Sequence, residues 1–174
     1  MSAALKVPLS IDNFHAEVMA RGWKLLQPFR FADTDQKHVS VCLDFAEFKP
    51  NARVLDVGCG FGEFSKIAKE IRPDLDIVLL NFSEAQLSAC PDGFEKHNAN
   101  PHALPFEDES FDAVMFNAAL GNMECMVALA EASRVLKPDG VLFLNEPCRL
   151  SGDNEAMERI LMFRAYEAEP LMAF

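Results

Sequence analysis

The chain has 174 residues, 50% of them apolar, and its 16 basic and 27 acidic side chains give a net charge of −11. This length suffices for one globular core that folds without disulfides or a structural metal. The basic residues stand singly, and none lies between His97 and Ser133. Binding to nucleic acid or to an anionic membrane needs clustered positive charge, so neither is expected as a partner.

The five cysteines and the hydropathy of the chain bear on its compartment. No Cys-x-x-Cys and no Cys/His pair at zinc-ligand spacing occurs, so no metal site is predicted. An odd number of cysteines without a secretory signal is typical of reduced thiols. No apolar run approaches the ~20 residues of a membrane span. We therefore expect a cytoplasmic protein.

Helical patterns precede the rest of the domain. Residues 11–27 carry apolar side chains at helical spacing, and residues 33–48 form a second predicted helix that is N-capped by Asp33 or Thr34. A Lys-Pro-Asn turn closes this second helix. We interpret residues 1–50 as a helical lid.

From residue 53 onward, short apolar runs alternate with helical segments. The predicted strands are 54–57, 77–80, 94–98, 111–116 and 141–144. The predicted helices are 63–71, 83–90, 123–136 and 153–168, and a turn is predicted at 137–140. This alternation predicts an α/β fold with a parallel sheet, right-handed crossovers and helices on both faces.

The clearest motif is the run VLDVGCGFGEFS at residues 54–65, where a strand enters a glycine-rich turn and then a helix. Its three glycines permit positive φ and close approach of a ligand, and the helix N-terminus offers N–H donors. The Gly-x-Gly-x-Gly spacing differs from the Gly-x-Gly-x-x-Gly fingerprint of dinucleotide sites. It favours a ligand without a pyrophosphate and disfavours a nicotinamide oxidoreductase.

Four ordered blocks resemble the class I S-adenosylmethionine-dependent methyltransferases: VLDVGCGFG, NFSEAQL, ALPFEDESFDAVMFN and EASRVLKPDGVLFLNEP. The resemblance implies that residues 51–147 form a Rossmann-like, doubly wound parallel sheet of order 3-2-1-4-5 that binds S-adenosylmethionine. It also implies that the usual sixth and seventh strands are missing, because residues 148–174 suffice only for a helix and a tail. The strand at 141–144 would then be an apolar edge, covered by that helix or by a second copy in a homo-oligomer.

The resemblance assigns cofactor contacts residue by residue. Asp56, Gly58, Gly60 and Gly62 would cradle the methionine part of the cofactor, with Asp56 facing its amino group. At the end of the second strand, relatives carry Asp or Glu for the ribose hydroxyls. This chain has Asn81 there, which lacks the charge that strengthens a carboxylate contact.

The residues after Asn81 also resemble a subset of the family that shows Thr-Leu-Ser-x-x-Gln at this place. That subset includes cyclopropane-fatty-acid, tocopherol and prenyl-diphosphate methyltransferases, which alkylate alkenes or aromatic carbons. The resemblance implies that Gln86 helps to hold the ribose. Stacking and apolar contact with Phe82 is one alternative for recognition of the adenine.

Adenine recognition is predicted to differ from that of the relatives. Asn100 stands where they have an Asp that accepts from the adenine amino group, and its amide oxygen can still accept. The following residue, Pro101, has no N–H to donate to the ring. His102 or a neighbouring amide is expected to replace that contact. Asn117, at the end of the fourth strand, completes the predicted cofactor contacts.

Methyl transfer from a sulfonium is an in-line displacement in which the protein supplies alignment, and a base where the acceptor must lose a proton. The family has no universal catalytic residue. Glu124 is the acid closest to the loop after the fourth strand, and it serves either the acceptor or the dipole of the following helix. His38 and His15 in the lid are alternative bases, or else packing residues.

Two functions follow from these observations. The first is a methyltransferase for a small, hydrophobic or isoprenoid-like acceptor, which would suit the surplus of 15 Phe over one Trp and one Tyr, although core filling explains that surplus equally well. The second is a catalytically impaired methyltransferase-like module that acts through self-association or a partner protein. Its motivation is the polar or proline substitutions at Asn81, Asn100 and Pro101.

Overall fold

The computed structural model describes residues 32–146 and, as backbone, residues 148–149 and 166–167. The predicted helix at 11–27, which contains His15, lies outside the described residues. The same holds for residues 153–165 of the predicted last helix. The predicted limits of the lid and of the C-terminal segment therefore stay predictions.

Strands and helices alternate along the described residues. The strands are β1 (Arg53–Val57), β2 (Asp76–Asn81), β3 (Glu95–Asn98), β4 (Phe111–Asn117), β5 (Leu136–Asn145), β6 (Cys148–Arg149) and β7 (Tyr166–Glu167). The helices are α1 (Asp35–Ala46), α2 (Glu63–Ile71), α3 (Glu84–Ala89) and α4 (Cys125–Val135), with a 3-10 helix at Leu120–Asn122. Thr34 caps α1, because its hydroxyl accepts from the N–H of Lys37 at 3.1 Å.

The first five strands form one parallel sheet of order β3-β2-β1-β4-β5, which confirms the predicted topology. Because the strands run in the same direction, their carboxyl ends meet at one edge. The chain reverses its direction of strand addition between β1 and β4. Open α/β sheets bind ligands at this switch point, outside the carboxyl ends of the strands.

Apolar layers cover both faces of the sheet. On one face the strands pack against α1, α2 and α3, with buried residues that include Val39, Leu43, Phe64, Leu87 and Met115. On the other face they pack against α4, with buried residues that include Val57, Leu80, Phe116, Leu129 and Ala132. Burial on both faces explains why β1, β2 and β4 are nearly continuous apolar runs rather than alternating ones.

The predicted turn at 137–140 was wrong, because these residues lie inside β5. The strand pairs with β4 at Leu136, and regular pairing resumes at Val141 after a shift of register. Pro138 lacks an N–H, which a β-strand tolerates at a bulge or on an edge. A local turn signal was therefore overridden by pairing on both sides of it.

Two helix predictions also needed correction. The helix α4 begins at Cys125 rather than at residue 123, because the 3-10 helix Leu120–Asn122 occupies the preceding residues. The predicted last helix does not extend to residue 168, since Tyr166–Glu167 pairs with Cys148–Arg149 in a parallel two-stranded sheet.

Within the described residues β5 is paired with β4 alone among the strands, so it is an edge of the five-stranded sheet. Association of two copies through this edge stays a prediction. No helix in the described part of the chain combines the length and the apolar character needed to cross a membrane.

Candidate cofactor-binding and active site

The glycine-rich turn connects β1 to α2 at the carboxyl edge of the sheet. As the motif predicts, its glycines have positive φ: 76° at Gly58, 58° at Gly60 and 72° at Gly62. The N–H groups of Gly58 and Cys59 donate to the carbonyl oxygen of Leu80 at 2.8 and 3.2 Å. These bonds hold the turn against the end of β2.

The three glycines have different surroundings. A Cβ on Gly58 would lie 2.8 Å from Ala119 Cβ, and one on Gly62 would lie 3.2 Å from Cys90 Sγ. Close packing between segments therefore requires glycine at both positions. A Cβ on Gly60 would meet no atom of the described residues within 4 Å. Gly60 is thus the glycine of this turn over which the described structure leaves room for a ligand to approach the backbone.

Asp56, in β1, is 1% exposed, and its Oδ2 accepts from Ser65 Oγ of α2 at 2.6 Å. Burial raises the pKa of the Asp56 carboxyl to about 7, and the Ser65 hydroxyl opposes that rise. A neighbouring cation, such as the predicted amino group, would favour the ionised form. Asp56 therefore ties α2 to β1, and its contact with a cofactor stays a prediction.

Asn81 joins the end of β2 to the glycine-rich turn. Its Nδ2 donates to Gln86 Oε1 at 2.8 Å and to the carbonyl oxygen of Gly60 at 3.2 Å. A carboxylate at this position could not donate to the carbonyl oxygen of Gly60. The structure thus brings together Asn81 and Gln86, the two predicted ribose contacts.

Phe82 follows β2 and is 60% exposed, an unusual position for a large apolar ring. Asn98 at the end of β3 fixes the segment, because its Nδ2 donates to the carbonyl oxygens of Asn81 and Phe82 at 3.1 and 2.9 Å. The exposed ring beside the turn fits the predicted contact with a flat base.

The predicted adenine contacts Asn100 and His102 also hold local structure. Asn100 Oδ1 accepts from the N–H of His102 at 3.0 Å, and the residue between them, Pro101, is buried. His102 Nε2 accepts from the N–H of Glu124 at 2.9 Å and so caps α4. The side chain of Glu124 makes no capping bond at the start of that helix, and the residue is exposed. The sequence did not predict that His102 and Glu124 meet.

A second polar group lies at the carboxyl ends of β4 and β5. Asn145 Nδ2 donates to Asn117 Oδ1 at 2.6 Å and approaches His38 Nε2 at 3.5 Å. His38, in α1, is fully buried and its ring lies edge-on to Phe64. The structure therefore joins the predicted base His38 to the predicted cofactor contact Asn117 through Asn145, which the sequence analysis missed.

Glu146 follows β5 directly and was also missed. Its Oε1 accepts from the N–H groups of Ala119 and Leu120 at 2.7 and 3.2 Å, at the start of the 3-10 helix. Burial raises the pKa of the Glu146 carboxyl to about 7 against the effect of these two donors. The signal that could have found Asn145 and Glu146 is their position, since polar residues just after a buried parallel strand lie at the ligand-binding edge.

These polar groups and the open turn lie where known proteins of this topology bind their ligands. A family model described as a methyltransferase domain matches residues 55–144, which is just over half of the chain. The chain belongs to the class I S-adenosylmethionine-dependent methyltransferase family. Membership confirms the resemblance inferred from the four sequence blocks, and it confirms S-adenosylmethionine as the cofactor that the family implies.

Each alignment to an individual relative covers part of this chain and less than half of that relative. An uncharacterized 37.1 kDa protein in a transposon of Streptomyces fradiae is 32% identical over 123 residues, which cover 66% of this chain and 36% of that protein. A demethylmenaquinone methyltransferase of Staphylococcus aureus is 33% identical over 102 residues, 54% of this chain and 42% of that enzyme. The chain thus spans less than half the length of these curated relatives.

The solved structures agree on the fold of the methyltransferase domain. An S-adenosylmethionine-dependent methyltransferase of Thermotoga maritima superposes with a TM-score of 0.70 at 23% identity, over 91% of this chain and 74% of that protein. At this identity the likeness supports the architecture and not a substrate.

The described residues fit the family's cofactor at the turn. Gly60 leaves room beside its backbone for a ligand. The carboxyl of Asp56 can ionise to pair with a cationic group of that ligand, and the ring of Phe82 is exposed. The part of the chain that the structure describes brings no three His, Cys, Asp or Glu side chains together as a metal site. The individual roles of these residues stay predictions.

Proposed function

We propose that this chain is an S-adenosylmethionine-dependent methyltransferase that acts on a small, hydrophobic or isoprenoid-like acceptor. The observation that carries the proposal is the open backbone of Gly60, which lies in the family's glycine-rich turn at the carboxyl edge of the sheet. When bound, the cofactor supplies a methyl group already activated by its sulfonium. The protein then has to bind, align and exclude water.

Alignment in the proposed enzyme rests on two rigid contacts of the turn. The bonds from Gly58 and Cys59 to Leu80 fix its path, and the amide of Asn81 holds the carbonyl of Gly60. The turn is therefore organised before the ligand arrives, which reduces the entropy lost on binding.

His38 was predicted as a base, and its full burial behind Asn145 supports a positioning role instead. The contacts of Asn145 Nδ2 with Asn117 and His38 can use both hydrogens of that amide, so they fix its orientation at the edge of the sheet. In this proposal His38 acts through Asn145. Glu124 is exposed at the start of α4, so its carboxylate is available to an acceptor molecule bound beside the preceding loop.

The acceptor class rests on two supports. The relative from Staphylococcus aureus, which is 33% identical over 102 residues, is named as a demethylmenaquinone methyltransferase. The net charge of −11, with no basic residue between His97 and Ser133, disfavours an anionic acceptor.

The alternative of a catalytically impaired module is not favoured. Its motivation was Asn81, Asn100 and Pro101 at cofactor positions. The structure supplies a local reason for Asn81 through Gln86, and for Asn100 through the N–H of His102. The residues Asn81 and Asn100 therefore do not require a loss of cofactor binding, and nothing in the structure explains Pro101.

Two measurements test the proposal. Calorimetry with S-adenosylhomocysteine is expected to show saturable binding, and the absence of binding at millimolar ligand would refute a cofactor site. Transfer of labelled methyl from S-adenosylmethionine is then measured to a prenylated hydroquinone and to the same ring without its prenyl chain. We expect transfer to the prenylated ring to be faster, and equal rates would refute the isoprenoid-like acceptor while leaving the cofactor site intact.

A further inference from the structure

Two cysteines from different elements meet beside the glycine-rich turn. Cys59 lies within the turn, and Cys90 ends α3. The two thiols are close enough to shift each other's pKa, that of Cys59 upward and that of Cys90 downward. Both sulfurs also lie against one carbonyl oxygen, that of Gly60, at 3.7 Å from Cys59 Sγ and 3.4 Å from Cys90 Sγ. The pair therefore adjoins the one part of the turn that is open to a ligand.

We propose that Cys59 and Cys90 are an oxidation site that a small peroxide closes to an intramolecular disulfide, and that the closed form binds the cofactor more weakly. The second half of this statement rests on the proposed function, because it concerns the affinity of the cofactor turn. The first half concerns the thiols alone.

The two thiols have different surroundings, and they are therefore expected to react differently with an oxidant. The hydrogen bond from Cys59 and the charge of Lys96 lower the pKa of the Cys90 thiol, whereas the bond to Cys90 and burial raise the pKa of Cys59. The thiolate is the nucleophile in reactions of cysteine, so Cys90 reacts first. Cys90 is 5% exposed, which favours an oxidant of the size of hydrogen peroxide over a bulky disulfide.

The reaction balances in two steps. The Cys90 thiolate attacks one oxygen of hydrogen peroxide, which breaks the O–O bond, forms a sulfenic acid and releases hydroxide. The Cys59 sulfur then attacks the Cys90 sulfur, and the S–O bond breaks. The leaving hydroxide takes the thiol proton of Cys59 and departs as water. In total, two thiols and one peroxide give one disulfide and two waters.

The disulfide would change the turn for a geometric reason. The S–S bond is about 2 Å long, much shorter than a contact between two thiols, so one sulfur must move toward the other. Cys90 follows α3, which packs on the sheet through Leu87. A shift of Cys59 toward it would strain the bond from the Cys59 N–H to the carbonyl oxygen of Leu80, one of the bonds that hold the turn. The disulfide also has no S–H to donate to the Gly60 carbonyl.

The other described cysteines lack this arrangement. Cys42 Sγ lies 3.9 Å from His38 Nε2 in the core, and burial raises its pKa to about 11. Cys125 is half-buried at the start of α4, and burial and the charge of Glu146 raise its pKa. Cys125→Ser is therefore the matched control, since it removes a more accessible thiol that has no role in the proposed site.

The experiment maps the disulfide before it measures affinity. The full chain is treated with hydrogen peroxide, its remaining thiols are blocked with iodoacetamide in denaturant, and it is digested with trypsin. We expect residues 54–66 to be joined to residues 70–96 by a bond that dithiothreitol cleaves, in the wild type and in Cys125→Ser. Cys59→Ser and Cys90→Ser are expected to lack it, and having both variants guards against one that does not fold.

Calorimetry with S-adenosylhomocysteine then compares the oxidised and the reduced protein. We expect the affinity to fall at least about tenfold on oxidation, to recover on reduction, and to be insensitive to peroxide in Cys90→Ser. Absence of the joined peptides would overturn the oxidation site, and unchanged affinity despite the disulfide would overturn its effect. A reduced protein that binds no S-adenosylhomocysteine would refute the proposed function and the effect of oxidation on affinity. The peptide map tests the Cys59–Cys90 oxidation site independently of ligand binding.

Discussion

Replacing Gly60 by alanine separates binding from folding in the glycine-rich turn. Gly60 has a φ of 58°, and in the part of the chain that the structure describes a Cβ there would meet no atom within 4 Å. The folded protein should therefore lose only the cost of a left-handed backbone for an L residue, about 1–2 kcal/mol. Gly93→Ala is the matched control, because Gly93 has a φ of 90° and the same open surroundings but lies outside the turn.

The two variants should differ in ligand binding. The methyl group on residue 60 would occupy the space from which a ligand reaches the backbone, and it would displace a charged ligand group from hydrogen-bond distance. Losing one hydrogen bond to a charged group costs about 1.5–3 kcal/mol, which corresponds to an affinity about 10 to 150 times weaker. Gly93→Ala should bind S-adenosylhomocysteine with the affinity of the wild type.

Urea denaturation measures the free energy of unfolding, and calorimetry measures the affinity. A Gly60→Ala variant that binds as tightly as the wild type would show that the open side of Gly60 is not the cofactor site. A loss of affinity in both variants would show that backbone strain, rather than a local clash with ligand, causes the effect.

Three further substitutions probe the polar contacts of the site. Asn81→Asp restores the residue type of many relatives, yet it should lower the free energy of unfolding by about 1–3 kcal/mol in urea, because the new carboxylate faces the acceptor oxygen of Gln86. Ser65→Ala removes the donor to Asp56 and should cost about 1–3 kcal/mol, measured in the same way at pH 8. Burial raises the pKa of Glu146 from 4.5 to about 7, so the native state binds this proton more tightly than the unfolded chain. Stability should therefore fall as pH rises from about 4.5 to about 7, and Glu146→Gln should make this slope shallower.

Each of these results has a contrary outcome. Unchanged stability of Asn81→Asp would mean that its amide is not required by Gln86. A Ser65→Ala variant as stable as the wild type would mean that Asp56 does not depend on the hydroxyl. An unaltered pH slope in Glu146→Gln would mean that this carboxyl titrates as in the unfolded chain.

The strands β1, β2 and β4 were predictable because each contains a buried apolar run. The run at residues 54–57, for example, lies within β1, and its glycines have the positive φ that the motif requires. Prediction failed where local and distant signals disagree. Residues 137–140 carry a strong turn signal, but pairing with β4 on both sides keeps them in β5.

The sequence singled out candidate site residues, whose roles stay predictions, but it did not show which of them contact each other. Asn81 and Gln86 were both singled out, but their mutual bond depends on how α3 leaves β2. His102 was expected at the adenine, and it also caps α4 through the N–H of Glu124. Asn145 and Glu146 lie in the fourth sequence block but were missed because the resemblance gave them no role.

The composition of this chain determines its net charge of −11, and the spacing of its motifs determines the parallel sheet and the family. Both are local or periodic properties, so they can be read from neighbours in sequence. The tertiary structure decided which glycine remains open, since only packing of Ala119 and Cys90 closes the space over Gly58 and Gly62. It also decided that Cys59 and Cys90 meet, because such contacts depend on how separate elements pack on the sheet.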